Sequence, residues 1–471
     1  ITAAQLWVQL QPENLDAHQS LAALLIRSGQ SDRALPHLEK ILALSPQGEP
    51  EHGYQLVANL LATAEEPQQA LRYMEQLIAA HPDEPEALYA HAQLANEVGE
   101  REKAAALLQQ LLEQQPQHHQ ALILQAKVFH ALGREEQAVQ SLRKALEQDA
   151  DNDAMRLSYA RMLVDAQQLE EARRQFKILN RRLPENTDVI YALGLLALEA
   201  EDIDDAEPYF MDLVRLGARD SEARFALGQI ARVRERPQEA IDWFKSVPQG
   251  SRYLDAQISA AQLIATEEGT DNALEYLQQL PLDTPEDRLT RYMAEGELYA
   301  SVERYEEAMA IYDEALEHFE GNSQLLYARA LTAEKIDRID LLERDLKQIL
   351  ALDPNDVQAL NALGYTLADR TERYDEALRY VEQAHALKPD DPAILDSMGW
   401  ALYRLERYDE ALDYLRRAAE QMPRDPEIAA HLGEVLWVSG RQQQAREVWE
   451  AALKIAPEHK TLKQTVERFN P

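Results

Sequence analysis

Apolar and polar residues alternate along this chain with the period of an α-helix, and short polar turns interrupt the pattern at regular intervals. Near position 400, Leu395, Met398 and Leu402 fall on one face of a helix. The turn ERYDE follows, and a second apolar face contains Ala411 and Leu415 before a proline ends the stretch. Glycine is scarce and runs of β-branched residues are absent. The pattern therefore predicts an all-α chain built from pairs of helices.

This two-helix unit repeats along almost the whole sequence. One small residue, here called the marker, recurs every 33–36 residues at Ala22, Ala58, Ala92, Ala126, Ala160, Gly194, Gly228, Ala261, Gly296, Ala330, Gly364, Gly399 and Gly433. A single helix pair cannot bury its apolar face, so neighbouring pairs must stack. The spacing predicts about thirteen units over residues 15–457. Residues 1–14 are expected to be the end of a preceding truncated unit, residues 458–471 a capping helix, and 247–288, where prolines cluster, a bend.

The unit resembles the tetratricopeptide repeat, in which two helices are followed by a closing proline. Around Gly399 the family pattern is matched by Leu395, Ala411, Leu415 and Pro423, and the resemblance covers nearly the whole chain. It implies a right-handed superhelical α-solenoid. It also implies a non-enzymatic protein-binding scaffold whose first helices line a groove.

Helical geometry locates the residues that face this groove. With about 100° per residue, positions −6, −3, +1, +4 and +5 from each marker form a face separate from the packing face. We call it the first-helix face; aromatic rings, Asn and Arg on it suit peptide contacts. The predicted groove residues are Asn59, Tyr89, Asn96, Tyr191, Phe225, Asn361, Tyr365, Asp396, Trp400, Tyr403, Arg404 and Trp437. For Trp400 and Trp437, packing on the adjacent unit is an equal alternative.

Composition narrows the partner class. Lys and Arg number 48 against 83 Asp and Glu, which gives a net charge of −35. Such a field repels nucleic acid and attracts basic protein surfaces. The chain has no Cys, and we find no catalytic motif, no cofactor-binding motif and no spacing of metal ligands. These patterns favour protein partners over substrates, cofactors or nucleic acid.

The last units carry a more specific resemblance. The stretches NALGYTLADRTERYDEAL and DSMGWALYRLERYDEAL resemble outer-membrane tetratricopeptide lipoproteins of proteobacteria such as Pseudomonas. Members of that group act as adaptors and activators of a periplasmic carboxy-terminal processing protease. The resemblance implies that serine protease and its client proteins as partners, and a periplasmic location with a lipid anchor absent from this chain. The alternatives are a scaffold for envelope or secretion-complex assembly, and the repeat region of an enzyme whose catalytic domain is missing.

Overall fold

The computed structural model describes residues 1–45, 50–79 and 82–469. These residues form 28 α-helices and no strand, which confirms the predicted all-α class. They divide into two compact units, Ile1–Ile230 and Ala231–Pro471.

The first unit consists of consecutive helices joined by short turns. They are α1 (Thr2–Leu10), α2 (Leu15–Arg27), α3 (Ser31–Leu44), α4 (Pro50–Leu61), α5 (Pro67–Ile78), α6 (Pro85–Glu97), α7 (Arg101–Gln114), α8 (His119–Ala131), α9 (Glu135–Gln148), α10 (Asp153–Asp165), α11 (Leu169–Arg182), α12 (Thr187–Glu199), α13 (Ile203–Leu216) and most of α14 (Asp220–Val233). The even-numbered helices contain the markers and are the first helices of the repeats.

The second unit continues the same alternation. Its helices are α15 (Pro237–Lys245), α16 (Tyr253–Glu267), α17 (Thr270–Gln278), α18 (Pro285–Ser301), α19 (Tyr305–His318), α20 (Ser323–Lys335), α21 (Ile339–Leu352), α22 (Val357–Arg370), α23 (Tyr374–Leu387), α24 (Pro392–Arg404), α25 (Tyr408–Gln421), α26 (Pro426–Val438), α27 (Gln442–Ile455) and α28 (Lys460–Phe469). From α2 to α27 the described residues form thirteen helix pairs, as the marker spacing predicts.

The turn between repeats combines a closing proline with an N-cap. After Pro389 the carboxylate of Asp391 accepts hydrogen bonds from the N–H groups of Ala393 and Ile394, at 3.0 and 3.3 Å. Asp356 caps α22 in the same way, through the N–H of Ala359 at 2.8 Å. Such caps satisfy donors that the first turn of a helix leaves free. Both helices therefore begin at a position set by their own sequence.

The marker is small because the second helix packs directly on it. A Cβ atom added to Gly399 would lie 2.5 Å from Cγ of Leu415 and 3.0 Å from the carbonyl oxygen of Ala411. Gly194 is covered in the same way by the ring of Phe210, at 2.9 Å from the added Cβ. Close approach of the two helices buries both apolar faces, and the buried residues of each unit lie along these contacts.

The irregular segment differs from the rest in the lengths of its helices. The second helices α15 and α17 have 9 residues each, whereas α23 and α25 have 14. The first helix α18 is extended to 17 residues. The expected bend at 247–288 stays a prediction. At the ends, α1 falls within 1–14 and α28 within 458–471; residues 470 and 471 lie outside the described residues.

Candidate functional site

Trp400 lies inside the protein rather than on an open groove. It is 6% exposed. Its indole N–H donates to Oδ1 of Asp369 on α22, at 3.2 Å, and its ring stacks on His431 of α26 with centroids 4.2 Å apart. Of the two alternatives for Trp400, a groove residue or packing on the adjacent repeat, the structure shows packing. The Trp400 side chain packs on both neighbouring repeats.

Asp396 and His431 form a buried ion pair beneath this ring. Oδ2 of Asp396 lies 2.8 Å from Nδ1 of His431, and both side chains are buried. Burial alone would lower the pKa of His431, but the adjacent Asp396 carboxylate outweighs it and the pKa is raised. Asp396 thus serves an internal contact, although its Oδ1 has no hydrogen-bond partner among the described residues.

Tyr365 and Tyr403 extend the same network to both sides. Tyr365 is half-buried, 6.0 Å from the His431 ring, and burial followed by the charge of Glu427 raises its pKa. The hydroxyl of Tyr403 donates to Oε1 of Glu434 at 2.9 Å. Arg468 on α28 also pairs with Glu434. The C-terminal cluster, as we call it, contains Tyr365, Asp396, Trp400, Tyr403, His431 and Glu434.

Arg404 and Trp437 are also engaged with their neighbours. Arg404 donates to the carbonyl of Asp369 at 3.2 Å and to the hydroxyl of Tyr374 at 2.7 Å, both in the preceding repeat. Trp437 is half-buried and stacks on Trp449, with centroids 5.8 Å apart. Because α27 belongs to the same repeat as α26, Trp437 packs within its own helix pair rather than on the adjacent one. These contacts leave only parts of either side chain exposed.

The other predicted groove residues are spread along both units. Asn361 is half-buried, and its side-chain oxygen has no partner in the described part of the chain. Tyr191 is half-buried between the edge of Phe210 and the guanidinium of Arg219, which lies 4.5 Å from the ring centroid. Phe225 is half-buried. Asn59 is exposed and accepts from the side chain of Gln55 at 3.2 Å.

Two predicted residues do lie together on an open surface. Tyr89 and Asn96 on α6 line a cavity of about 370 Å³ with Gln93 and, from α8, Lys127. We call it the Lys127 cavity. All four residues occupy positions of the first-helix face. Its polar lining of amides, a phenol, the cation of Lys127 and the carboxylate of Glu97 suits hydrogen bonding to a polar chain.

Two further cavities lie on the first-helix face of the second unit. The larger cavity, of about 690 Å³, is lined from α18 and α20 by Met293, Glu297, Tyr327 and Leu331 among others. The smaller cavity, of about 400 Å³, lies between α16 and α18 and shares Glu297 with the larger one. The groove residues predicted from the sequence include none on α16, α18 or α20, so both cavities were missed. The signal was present, since Met293 and Glu297 occupy positions −3 and +1 from the marker Gly296.

The remaining chemistry of the described residues offers no alternative site. Within them, no group of three or more His, Asp or Glu side chains could hold a metal ion. In the same residues, no helix is both long enough and apolar enough to cross a bilayer. The cavities of the first-helix face are therefore the candidate functional site.

Comparisons with protein families cover most of both units. A model described as the TPR domain of cytochrome c-type biogenesis protein H matches residues 108–224. Two tetratricopeptide-repeat models match residues 61–128 and 282–457. These matched segments are tetratricopeptide repeats.

Individual proteins resemble this chain at low sequence identity or over a small part of its length. TPR repeat-containing protein PA4667 of Pseudomonas aeruginosa is 34% identical over 132 residues, which are 28% of this chain and 22% of that protein. This chain thus spans about a fifth of that relative. Yeast Tom70 (15% identity, 89% of this chain and 94% of that chain) has a TM-score of 0.40. TTC0263, a thermophilic TPR protein of Thermus thermophilus (22% identity, 38% and 97%), has a TM-score of 0.35.

Proposed function

From the tetratricopeptide repeats that this chain carries, we propose that it is a non-enzymatic scaffold that binds partner proteins along its first-helix faces. The observation that carries this proposal is the row of open cavities on α16, α18 and α20, where side chains leave room for a partner segment. Volumes of about 300–1,000 Å³ are typical of binding sites.

We propose more specifically that the partners are a carboxy-terminal processing serine protease and its client proteins. The resemblance of residues 361–418 and 428–437 to the proteobacterial lipoprotein adaptors supports this assignment. Proximity is the physical mechanism. A scaffold that holds enzyme and client together raises their effective concentration without a catalytic residue of its own. It would also activate the protease if it bound the active conformation more tightly than the inactive one.

The proposed location is the periplasm, at the outer membrane, through a lipid anchor outside this chain. This too rests on the resemblance of the last repeats. The net charge of −35 supports a basic docking surface on the protease or its client, because opposite charges speed encounter at low ionic strength.

The test combines purified protease with a protein client, with and without this chain. We expect the chain to accelerate cleavage, and we expect no cleavage when the nucleophile of the protease is mutated. This chain alone should leave the client intact. Absence of binding and of acceleration would refute the protease assignment, and cleavage by the chain alone would refute the non-enzymatic proposal.

A further inference from the structure

The two cavities of the second unit adjoin along one helix. Met293 on α18 lines the larger cavity, Ser301 lines the smaller one, and Glu297 between them lines both. At a rise of about 1.5 Å per residue, Met293 to Ser301 spans about 12 Å of helix axis. The two recesses therefore form one continuous site, which we call the α18 site.

The walls of the α18 site are largely apolar and partly exposed. Leu331 is 36% exposed in the larger cavity, and Val302 is 46% exposed at the rim of the smaller one. Ile258, Met293 and Leu289 add further aliphatic surface. Apolar surface of this kind is stabilised by covering it with apolar side chains of a partner.

The charges at the site have one sign. Glu297 and Asp356 are the charged residues among the described side chains that line the two cavities. Asp356 already caps α22 through the N–H of Ala359. Glu297 is exposed, and no described residue forms a hydrogen bond or ion pair with its carboxylate. A bound segment would therefore meet an unpaired negative charge at the centre of an apolar recess.

We propose that the α18 site binds a protein segment that combines aliphatic side chains with a lysine or arginine, and that the cation pairs with Glu297. The inference rests on the proposed function and names the chemistry of its partner. An acidic segment or a phosphate group is disfavoured by Glu297 and by the net charge of −35. The Lys127 cavity provides an internal contrast, because its lining has a cation beside the carboxylate of Glu97 and fewer aliphatic groups.

The test measures fluorescence anisotropy with three labelled peptides at physiological salt. The probe contains four Leu-Ala-Lys units, and the two comparison peptides replace either every Lys by Glu or every Leu by Ser. We expect the Leu-Ala-Lys peptide to bind at least about tenfold more tightly than either comparison peptide. Equal binding of the Glu peptide, or no saturable binding of the probe, would overturn the inference.

Two substitutions locate the binding on the molecule. Glu297→Lys replaces attraction by repulsion, and Thr290→Trp fills the larger cavity from an exposed position. Each should weaken the probe by about tenfold or more. The matched control is Glu97→Lys, which makes the same charge change at an exposed glutamate lining the Lys127 cavity. Equal weakening by the control would show attraction to net charge alone and would refute the site.

The experiments can refute the adaptor proposal and the α18 site independently of each other. Circular dichroism establishes that each variant is folded, and the protease assay is then run on the same proteins. Specific peptide binding without any acceleration would refute the adaptor and leave the α18 site standing. Acceleration by the unmodified chain, with peptide binding insensitive to Glu297→Lys and Thr290→Trp, would refute the α18 site and leave the adaptor standing.

Discussion

The first-helix faces of α22–α26 and of α16–α20 belong to the same unit and to the same kind of repeat. Side-chain contacts fill the first, which we call the closed face, whereas cavities remain on the second, which we call the open face. At position +1 from the marker the closed face has Tyr365 and Trp400, whereas the open face has Glu297 and Leu331. A ring at this position reaches the neighbouring first helix, as Trp400 does in its contact with His431. Glu297 and Leu331 instead line the larger cavity.

The comparison shows that a large aromatic residue on a predicted binding face has two outcomes. When acceptors and rings of adjacent repeats are in register, as Asp369 and His431 are, the residue joins the repeats. Where such partners are missing, the face stays available. The closed face therefore holds helices together, whereas the open face leaves surface uncovered.

The largest expected effect is the loss of Trp400. Trp400→Ala removes a buried ring and a hydrogen bond, and large-to-small core changes of this kind cost about 3–5 kcal/mol. Leu331→Ala on the open face is the control, because Leu331 is 36% exposed and its truncation should cost less than about 1 kcal/mol. Hydrogen exchange would report the difference, with faster exchange in α22, α24 and α26 only for Trp400→Ala. Equal exchange in both variants would contradict the closed-face description.

The second prediction concerns Glu295 on α18, which lies away from the cavities. It is 2% exposed, and burial raises its pKa from 4.5 to about 7, with Arg291 opposing and Glu314 adding to the rise. The folded state thus prefers the neutral acid. Glu295 contributes this stabilisation to the folded state in full below about pH 4.5, and the contribution is lost as the pH rises towards 7.

Glu295→Gln removes this pH dependence. Above pH 7 the variant should exceed the original protein in stability by about 3 kcal/mol, and the difference should shrink towards pH 4.5. Urea unfolding at pH 5 and pH 8 measures it, with hydrogen exchange assigning the gain to α18. Glu297→Gln is the matched control, because Glu297 is exposed on the same helix and a surface change should alter the free energy of unfolding by less than about 0.5 kcal/mol. A gain that is independent of pH would contradict the buried-acid account.

The fold was predictable because the same two-helix pattern occurs thirteen times in the sequence. The marker spacing, the closing proline and the Asp or Asn caps are local signals, and each agrees with the stacking of helix pairs. The angular rule placed Tyr89 on the first-helix face, and in the structure Tyr89 lines the Lys127 cavity. Which parts of that face are open was not predictable, because it depends on residues from other repeats. Trp400 is covered through its contacts with Asp369 and His431, which lie about thirty positions before it and after it in the sequence.

The third prediction tests how tightly the closed repeats are packed. Gly399→Ala adds a Cβ only 3.0 Å from the backbone carbonyl of Ala411, where relief requires movement of the helix itself. Overpacking typically lowers the free energy of unfolding by about 1–3 kcal/mol, and the better helix propensity of alanine offsets about 1 kcal/mol of that loss. We expect a net loss of about 1 kcal/mol, measured by thermal melting. Ala330→Gly, at the marker of α20, is the reciprocal variant, and unchanged stability of Gly399→Ala would show looser packing than the structure has.

The smallest expected effect lies in the turn between the two helices of a repeat, which both regions share. Glu406 in the closed region has a φ of 62° and Glu303 in the open region a φ of 60°, values that L side chains adopt at a cost of about 1–2 kcal/mol. Glycine has no such cost but loses more freedom on folding, about 0.5–1 kcal/mol. Glu406→Gly and Glu303→Gly should therefore each raise stability by about 0.5 kcal/mol in urea unfolding. Equal gains would show that the regions differ in their first-helix faces and not in their turns. A gain confined to one variant would extend the difference to the backbone.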